Sequence, residues 1–307
     1  MINGIINVYK EKGYTSHDVV AKLRGILKQK KIGHTGTLDP DAEGVLPVCL
    51  GNGTKLSDML TDRDKTYEAV LLLGLTTDTQ DVTGTILTTN EIKADRKQIE
   101  EAILSFIGEY DQLPPMYSAI KINGKRLYEL ARAGIEIERE TRKIWIHNIQ
   151  ILNIDDEKHE VKITVDCSKG TYIRTLCHDI GAKLQCGGCM KSLLRTKVGQ
   201  FTIENSIKLT EIIEKIQQEE FIRLVIKPDD MFPDYPKLVV AEEYCKLIYN
   251  GNSFEKRHLM QQINEVVIKN NYNAQPLVRV YDWQSNFVGI YQFDKEKEMF
   301  KSLKMFL

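Results

Sequence analysis

A chain of 307 residues that is 42% hydrophobic and 28% charged can bury a sizeable core, and its length favours one large domain with a smaller one beside it. No apolar run reaches the roughly 18 to 20 residues that span a bilayer, and Met1-Ile2-Asn3-Gly4 lacks a basic stretch leading into an apolar one, so a cytoplasmic protein with no membrane partner is expected. Six scattered cysteines read as free thiols, and the net charge of -1 argues against nucleic-acid binding only until its distribution is considered, because cations gather in 22–31, 121–132 and 169–197 and acids in 211–234.

Ile5 to Tyr9 reads as a strand, followed by a helix capped by Ser16, with Val19, Val20, Leu23, Ile26 and Leu27 on one face. Val45 to Leu50 is a short apolar strand. Tyr67 to Leu73 is another, with Tyr67, Ala69, Leu71 and Leu73 pointing one way. Asp95 and Gln98 occupy capping-box positions of a helix running to Phe106, with Gly108 just past its end. Leu113 to Ser118 holds two prolines and is irregular, Asn123-Gly124 signals a tight turn, and Lys125 to Arg132 is a basic helix stopped by Gly134. Ile144 to Ile154 and Val161 to Cys167 are strands, and a turn at Ser168-Lys169-Gly170 follows. The proline-rich run from Lys227 to Pro236 separates residues 1–230 from a β-rich appendage at 235–307, whose strands include Leu238 to Val240, Leu277 to Tyr281 and Phe287 to Phe293.

The loop Gly33-His34-Thr35-Gly36-Thr37-Leu38-Asp39-Pro40 sets an aspartate among glycines that let the backbone approach a ligand. Alone, an aspartate before proline is a turn residue. Continued through Ala42, Gly44-Val45-Leu46-Pro47-Val48-Cys49-Leu50-Gly51, the run resembles the signature of bacterial tRNA pseudouridine-55 synthases, the TruB family. Lys65-Thr66-Tyr67, the segment from Lys121 to Arg132, and Cys167 to Thr175 agree with that family in the same order, so the resemblance covers nearly all of residues 1–230.

The resemblance implies an α+β catalytic domain around a mixed, mainly antiparallel sheet, then a small PUA-like domain that binds RNA. It implies isomerisation of uridine 55 in the TΨC loop of tRNA, with no cofactor and no metal. Asp39 is the implied nucleophile, attacking either the base C6 or the sugar C1′ of a flipped uridine. Arg174 pairs with it, suited by a permanent charge and two parallel donors. Tyr67 stacks on the uracil and removes the C5 proton, Tyr172 and Leu193 line the pocket, and His34 fills the space the base leaves. Tyr172 and Arg174 share a face if the chain is extended and diverge if the helix has already begun, and an extended or turn conformation is expected there. The implied partner is tRNA, through its TΨC arm and, for the appendage, its acceptor arm; no obligate protein partner is expected, and the protein should be a monomer. A noncatalytic RNA-binding factor and a base-releasing glycosidase are the competing readings.

Cys186-Gly187-Gly188-Cys189 has the spacing of redox and zinc sites, but no second pair accompanies it. Asp41 and Glu43 read as exposed loop charges rather than glycosidase carboxylates. Asp78 and Asp81 read as turn-capping side chains.

Overall fold

The computed structural model describes residues 1–122, 124–261 and 276–307. Alternation builds its larger sheet. Along Lys65–Leu73 every second residue is buried, from Lys65 through Tyr67, Ala69 and Leu71 to Leu73, which is what a strand with one face on a core requires. Glu160–Cys167 pairs with it antiparallel, placing Val161, Ile163 and Val165 opposite Leu71, Ala69 and Tyr67. Across the described residues the sheet runs Gly4–Lys10, Glu43–Leu50, Gly188–Val198, Lys65–Leu73, Glu160–Cys167, Arg142–Asp155 and Gly108–Gln112, with two short strands attached at its sides. Gly188–Val198 lies parallel to Glu43–Leu50 and antiparallel to its other neighbour, so the sheet is mixed and mainly antiparallel, as expected.

Two helices cover one part of it: Ile99 and Ile103 of Arg96–Leu104, and Leu176, Cys177 and Ile180 of Ile173–Lys183, share a buried cluster with Leu71 and Ile163. Val19 and Leu23 of Ser16–Leu27 and Ile212 of Leu209–Gln217 pack on Ile6, Val8, Leu46 and Val48. The other side of those strands meets a second sheet.

That second sheet runs Lys237–Val239, Leu277–Tyr281, Phe287–Asp294, Met299–Met305 and Phe254–Glu255. Its Ile290 and the following Phe306 join Ile5, Val45 and Cys49 in one apolar cluster. The proline-rich connection is part of this contact rather than an exposed linker. Met231 and Phe232 are buried in the same cluster, and Asp229 accepts a hydrogen bond from the Tyr281 hydroxyl at 2.8 Å.

Several boundaries differ from the sequence reading. Thr15, not Ser16, caps the first helix, in a reciprocal box with Asp18. Ser16 is the first helical residue, and its hydroxyl accepts from the Leu38 N–H at 2.9 Å. The helix after Asp95 ends at Leu104, while Gly108, at φ 113°, opens a strand instead of closing that helix. Lys125–Arg126 is a short strand, and the helix starts at Leu127 because its first turn is capped by Glu129 reaching back to the Arg126 N–H. Asn123 lies outside the described residues; Gly124 has φ 82°. Thr15→Ala should cost about 1 kcal/mol in urea unfolding, the usual worth of such a cap. An unchanged midpoint would show that Thr15 is not the cap.

Candidate active site

Asp39 stands on a loop held from beneath by buried cations. Arg195, only 1% exposed, donates from Nε to the Val45 carbonyl at 2.7 Å, and from its two terminal nitrogens to Thr37 and Gly36 carbonyls at 3.4 and 3.5 Å. Lys10, fully buried, donates to the carbonyls of Ala42 at 2.6 Å and Pro40 at 3.1 Å. Leu38 is buried in the main cluster and anchors the loop just before Asp39. Burial pushes the Lys10 ammonium down to about 8, against the opposing pull of Asp39 and Glu43.

The Asp39 carboxylate points the other way and meets Arg174. Arg174 Nε lies 3.0 Å from Oδ2, and a terminal nitrogen donates to Oδ1 at 3.5 Å, a two-point contact. The arginine side chain is 7% exposed and the aspartate side chain 41%, so the buried member of the pair is the cation. Its remaining donors go to the Thr79 carbonyl at 3.0 Å and the Tyr117 carbonyl at 2.8 Å, and Asp81 Oδ2 lies 3.8 Å away. Asp81 is also the turn-capping residue read from sequence, accepting from Thr79 and Thr83.

Tyr172 and Arg174 are not both extended. Tyr172 is the extended residue capping Ile173–Lys183, and Arg174 already lies in the helix. The chain turns between them, and a reciprocal clamp fixes that turn: the Tyr172 N–H donates to Gln112 Oε1 at 2.7 Å, and Gln112 Nε2 donates back to the Tyr172 carbonyl at 3.0 Å. Burial raises the Tyr172 phenol, opposed by Ser118, Arg142 and Arg174.

Tyr67 is buried on the sheet directly opposite Arg195, and the half-buried Leu193 is opposite Ala69, so these four side chains share a face. Burial raises the Tyr67 phenol, and the charge and hydrogen bonding of Arg195 oppose that rise. His34 ends the short strand Ile32–His34, with its ring 5.2 Å from that of His17, edge to face. Burial first, then the charges of His17 and Arg195, lowers its pKa and favours the neutral imidazole. The structure thus brings Asp39, Arg174 and Asp81 into contact and sets Tyr67 and Leu193 on one sheet face.

Sequence reading missed Arg195, Lys10 and Gln112, none of which stands in a readable local motif. Among the described residues no three His, Cys, Asp or Glu side chains are grouped to hold a metal, and Cys186 and Cys189 are buried, with the Cys189 thiol pushed up to about 11. Asp41 lies 3.9 Å from Lys12, both exposed, while Glu43 accepts from the Tyr9 hydroxyl at 3.3 Å. Among the described residues no helix is long and apolar enough to cross a membrane.

The fold recurs in solved structures. An H/ACA ribonucleoprotein bound to a substrate RNA containing 2'-deoxyuridine aligns with a TM-score of 0.70, covering 99% of this chain and 85% of that one at 23% identity. A Cbf5-Nop10-Gar1 complex aligns at 0.71, with 99% and 85% covered and 25% identity. The fold is that of the pseudouridine synthases.

The sequence comparisons narrow this to a family. The model of the TruB family pseudouridylate synthase N-terminal domain matches residues 24–173, and that of the tRNA pseudouridylate synthase B C-terminal domain matches 174–232. A tRNA pseudouridine synthase B of Lachnoclostridium phytofermentans is 54% identical over 100% of both chains, and one of Clostridium kluyveri 46% over 100% of both. The chain belongs to the TruB family of pseudouridylate synthases.

The close approach of Arg195 to the loop makes its own demand. Gly44 has φ 105°, and a Cβ there would lie 2.2 Å from the Arg195 carbonyl oxygen, whereas Gly13, at φ 87°, has nothing within 4 Å. Gly13→Ala should cost about 1 kcal/mol of backbone strain, and Gly44→Ala at least about 2 kcal/mol more, because a strand must shift as well. Equal losses in urea unfolding would show that the sheet yields freely at Gly44.

Proposed function

We propose that this enzyme converts uridine 55 in the TΨC loop of tRNA to pseudouridine, with Asp39 as the nucleophile. The two-point contact of a buried Arg174 with the more exposed Asp39 carries the reading, since it holds a carboxylate at a fixed angle while leaving it reachable. The relatives named tRNA pseudouridine synthase B support tRNA as the substrate.

In this reading the target uridine leaves its stack, at a cost of a few kcal/mol, and enters a pocket walled by Tyr67, Tyr172 and Leu193. His34 occupies the vacated space. A neutral imidazole suits that role, because it stacks and hydrogen-bonds without charge. Asp39 attacks C6 or C1′, the glycosidic bond breaks, the uracil turns, C5 bonds to C1′, and Tyr67 takes the C5 proton. Substrate and product are isomers, so the overall reaction balances without a cofactor.

Residues 1–230 form the catalytic domain, and 235–307 a PUA-like domain that touches the acceptor arm. The protein works in the cytoplasm as a monomer with tRNA as its partner. Tritium at C5 of tRNA uridines tests the chemistry: isomerisation releases it to water, a binding protein releases none, and a glycosidase liberates uracil. Asp39→Asn should abolish release while tRNA affinity stays within about threefold. Turnover by that variant close to the native rate would remove Asp39 from the nucleophile's role.

A further inference from the structure

The two arginines of the site are neutralised differently. Arg174 sits against two carboxylates, Asp39 and Asp81. Three donors of Arg195 go to the carbonyls of Val45, Thr37 and Gly36, which carry dipoles but no net charge. A guanidinium 1% exposed therefore keeps its full positive field in a dry setting. The nearest cross-strand side chain is a phenol: Tyr67 and Arg195 are direct partners on antiparallel strands, where Cβ atoms stand about 5 Å apart on one face. The sheet is irregular between Arg195 and Lys197, just past this pair, and the Arg195 backbone packs closely against Gly44 on the other flank, where a Cβ would lie 2.2 Å from the Arg195 carbonyl oxygen.

We propose that Arg195 is a positioning residue for C5 deprotonation: it fixes the Tyr67 hydroxyl toward the pocket and stabilises the phenolate that accepts the proton. The inference rests on the reading of Tyr67 as that acceptor. In the step, the C5–H bond breaks and its electron pair closes the C5–C6 double bond. After attack at C1′ the π pair of the C6–N1 double bond moves onto N1, which takes a proton from solvent; after attack at C6 the C6–O pair leaves with the Asp39 carboxylate; in both cases the C5 proton ends on the Tyr67 oxygen. The charged or titratable groups acting on Tyr67 are Arg195 from one neighbouring strand, Cys167 from the other and Asp39 from the loop. Of these only Arg195 favours the phenolate. Lys65, on Tyr67's own strand, turns its ammonium to the Thr61 and Arg63 carbonyls at 2.9 and 2.6 Å.

Arg195→Lys, with Arg195→Gln carried beside it, separates this role from scaffolding, provided circular dichroism and tRNA affinity match the native chain. With C5-protonated substrate, kcat should fall at least about tenfold with KM within about twofold, and the rising limb of its pH profile should move up by about one unit. A deuterium isotope effect at C5 should grow. With tRNA carrying 5-fluorouridine, which has no C5 proton to lose, rearrangement should stay within about threefold of native. Equal slowing of both substrates, with the isotope effect and pH profile unmoved, would make Arg195 purely structural and overturn the proposal. Tyr67→Phe tests the underlying reading separately: unimpaired tritium release there would remove Tyr67 as the acceptor, whatever Arg195 does. Should neither Arg195 variant fold, carbon-13 NMR of ring-labelled tyrosine decides on the native chain. Tyr67 should titrate below the buried Tyr291, whose phenol burial alone raises, and titration at or above it overturns the proposal.

Discussion

The site depends on cations buried beneath a loop and satisfied by its backbone. Taking an ammonium or guanidinium out of water costs several kcal/mol unless its donors are met. Here Lys10 and Arg195 meet theirs with the carbonyls of residues 36, 37, 40, 42 and 45, so the loop from Gly36 to Val45 is folded around them with its oxygens inward. A loop otherwise runs over the surface with its polar groups in water, free to move. This one has little such freedom, and Asp39 inherits its rigidity. Because carbonyl oxygens satisfy the two cations, the Asp39 carboxylate is not drawn down among them and stays near solvent.

That arrangement reverses a simple expectation about the pair. A carboxylate set in a buried site needs a cation to keep it ionised. The structure buries the cation and leaves the carboxylate 41% exposed. Arg174 is the member whose charge must be supported, by two carboxylates and two carbonyls. It also lies in the first turn of a helix, whose N-terminal end carries partial positive charge and so adds to the field at Asp39. The orientation of Asp39 is thus set from both sides, by cations below the loop and by the Arg174 guanidinium facing it.

How much of this was legible in the sequence follows from the range of each interaction. The strand read from Tyr67 to Leu73, which starts two residues earlier at Lys65, and the box at Asp95 are local patterns of period two and spacing three, and both stand. The first helix start was misread by one residue, although Thr15 and Asp18 have the box spacing; two adjacent hydroxyl residues compete for the cap, and Ser16 is taken by Leu38, distant in sequence. The helix at Arg174 has no capping side chain at Tyr172, so nothing local marked its start. Asp39, Tyr67 and Arg174 were found through long motifs. Arg195 and Lys10 were not, because a cation in an apolar strand reveals its purpose only when strand order is known.

Strand order also determines when this arrangement can form. The strand carrying Leu193 and Arg195 inserts between two strands that precede it by more than a hundred residues, and the bond from Arg195 to the Val45 carbonyl spans 150 positions. The two family models meet between Ile173 and Arg174, yet neither half contains the whole of the proposed site: Asp39 and Tyr67 belong to the first, Arg174, Leu193 and Arg195 to the second. Until the late strand arrives, the carbonyls of Gly36, Thr37 and Val45 lack their donor, and Tyr67 has a cross-strand partner on one side only, Val165. Such non-local pairing is slow to form, since the loop-closure entropy is lost before the contacts are gained. The consequence is a site whose geometry cannot form without the global fold: the interactions that orient Asp39 are the ones that close the sheet.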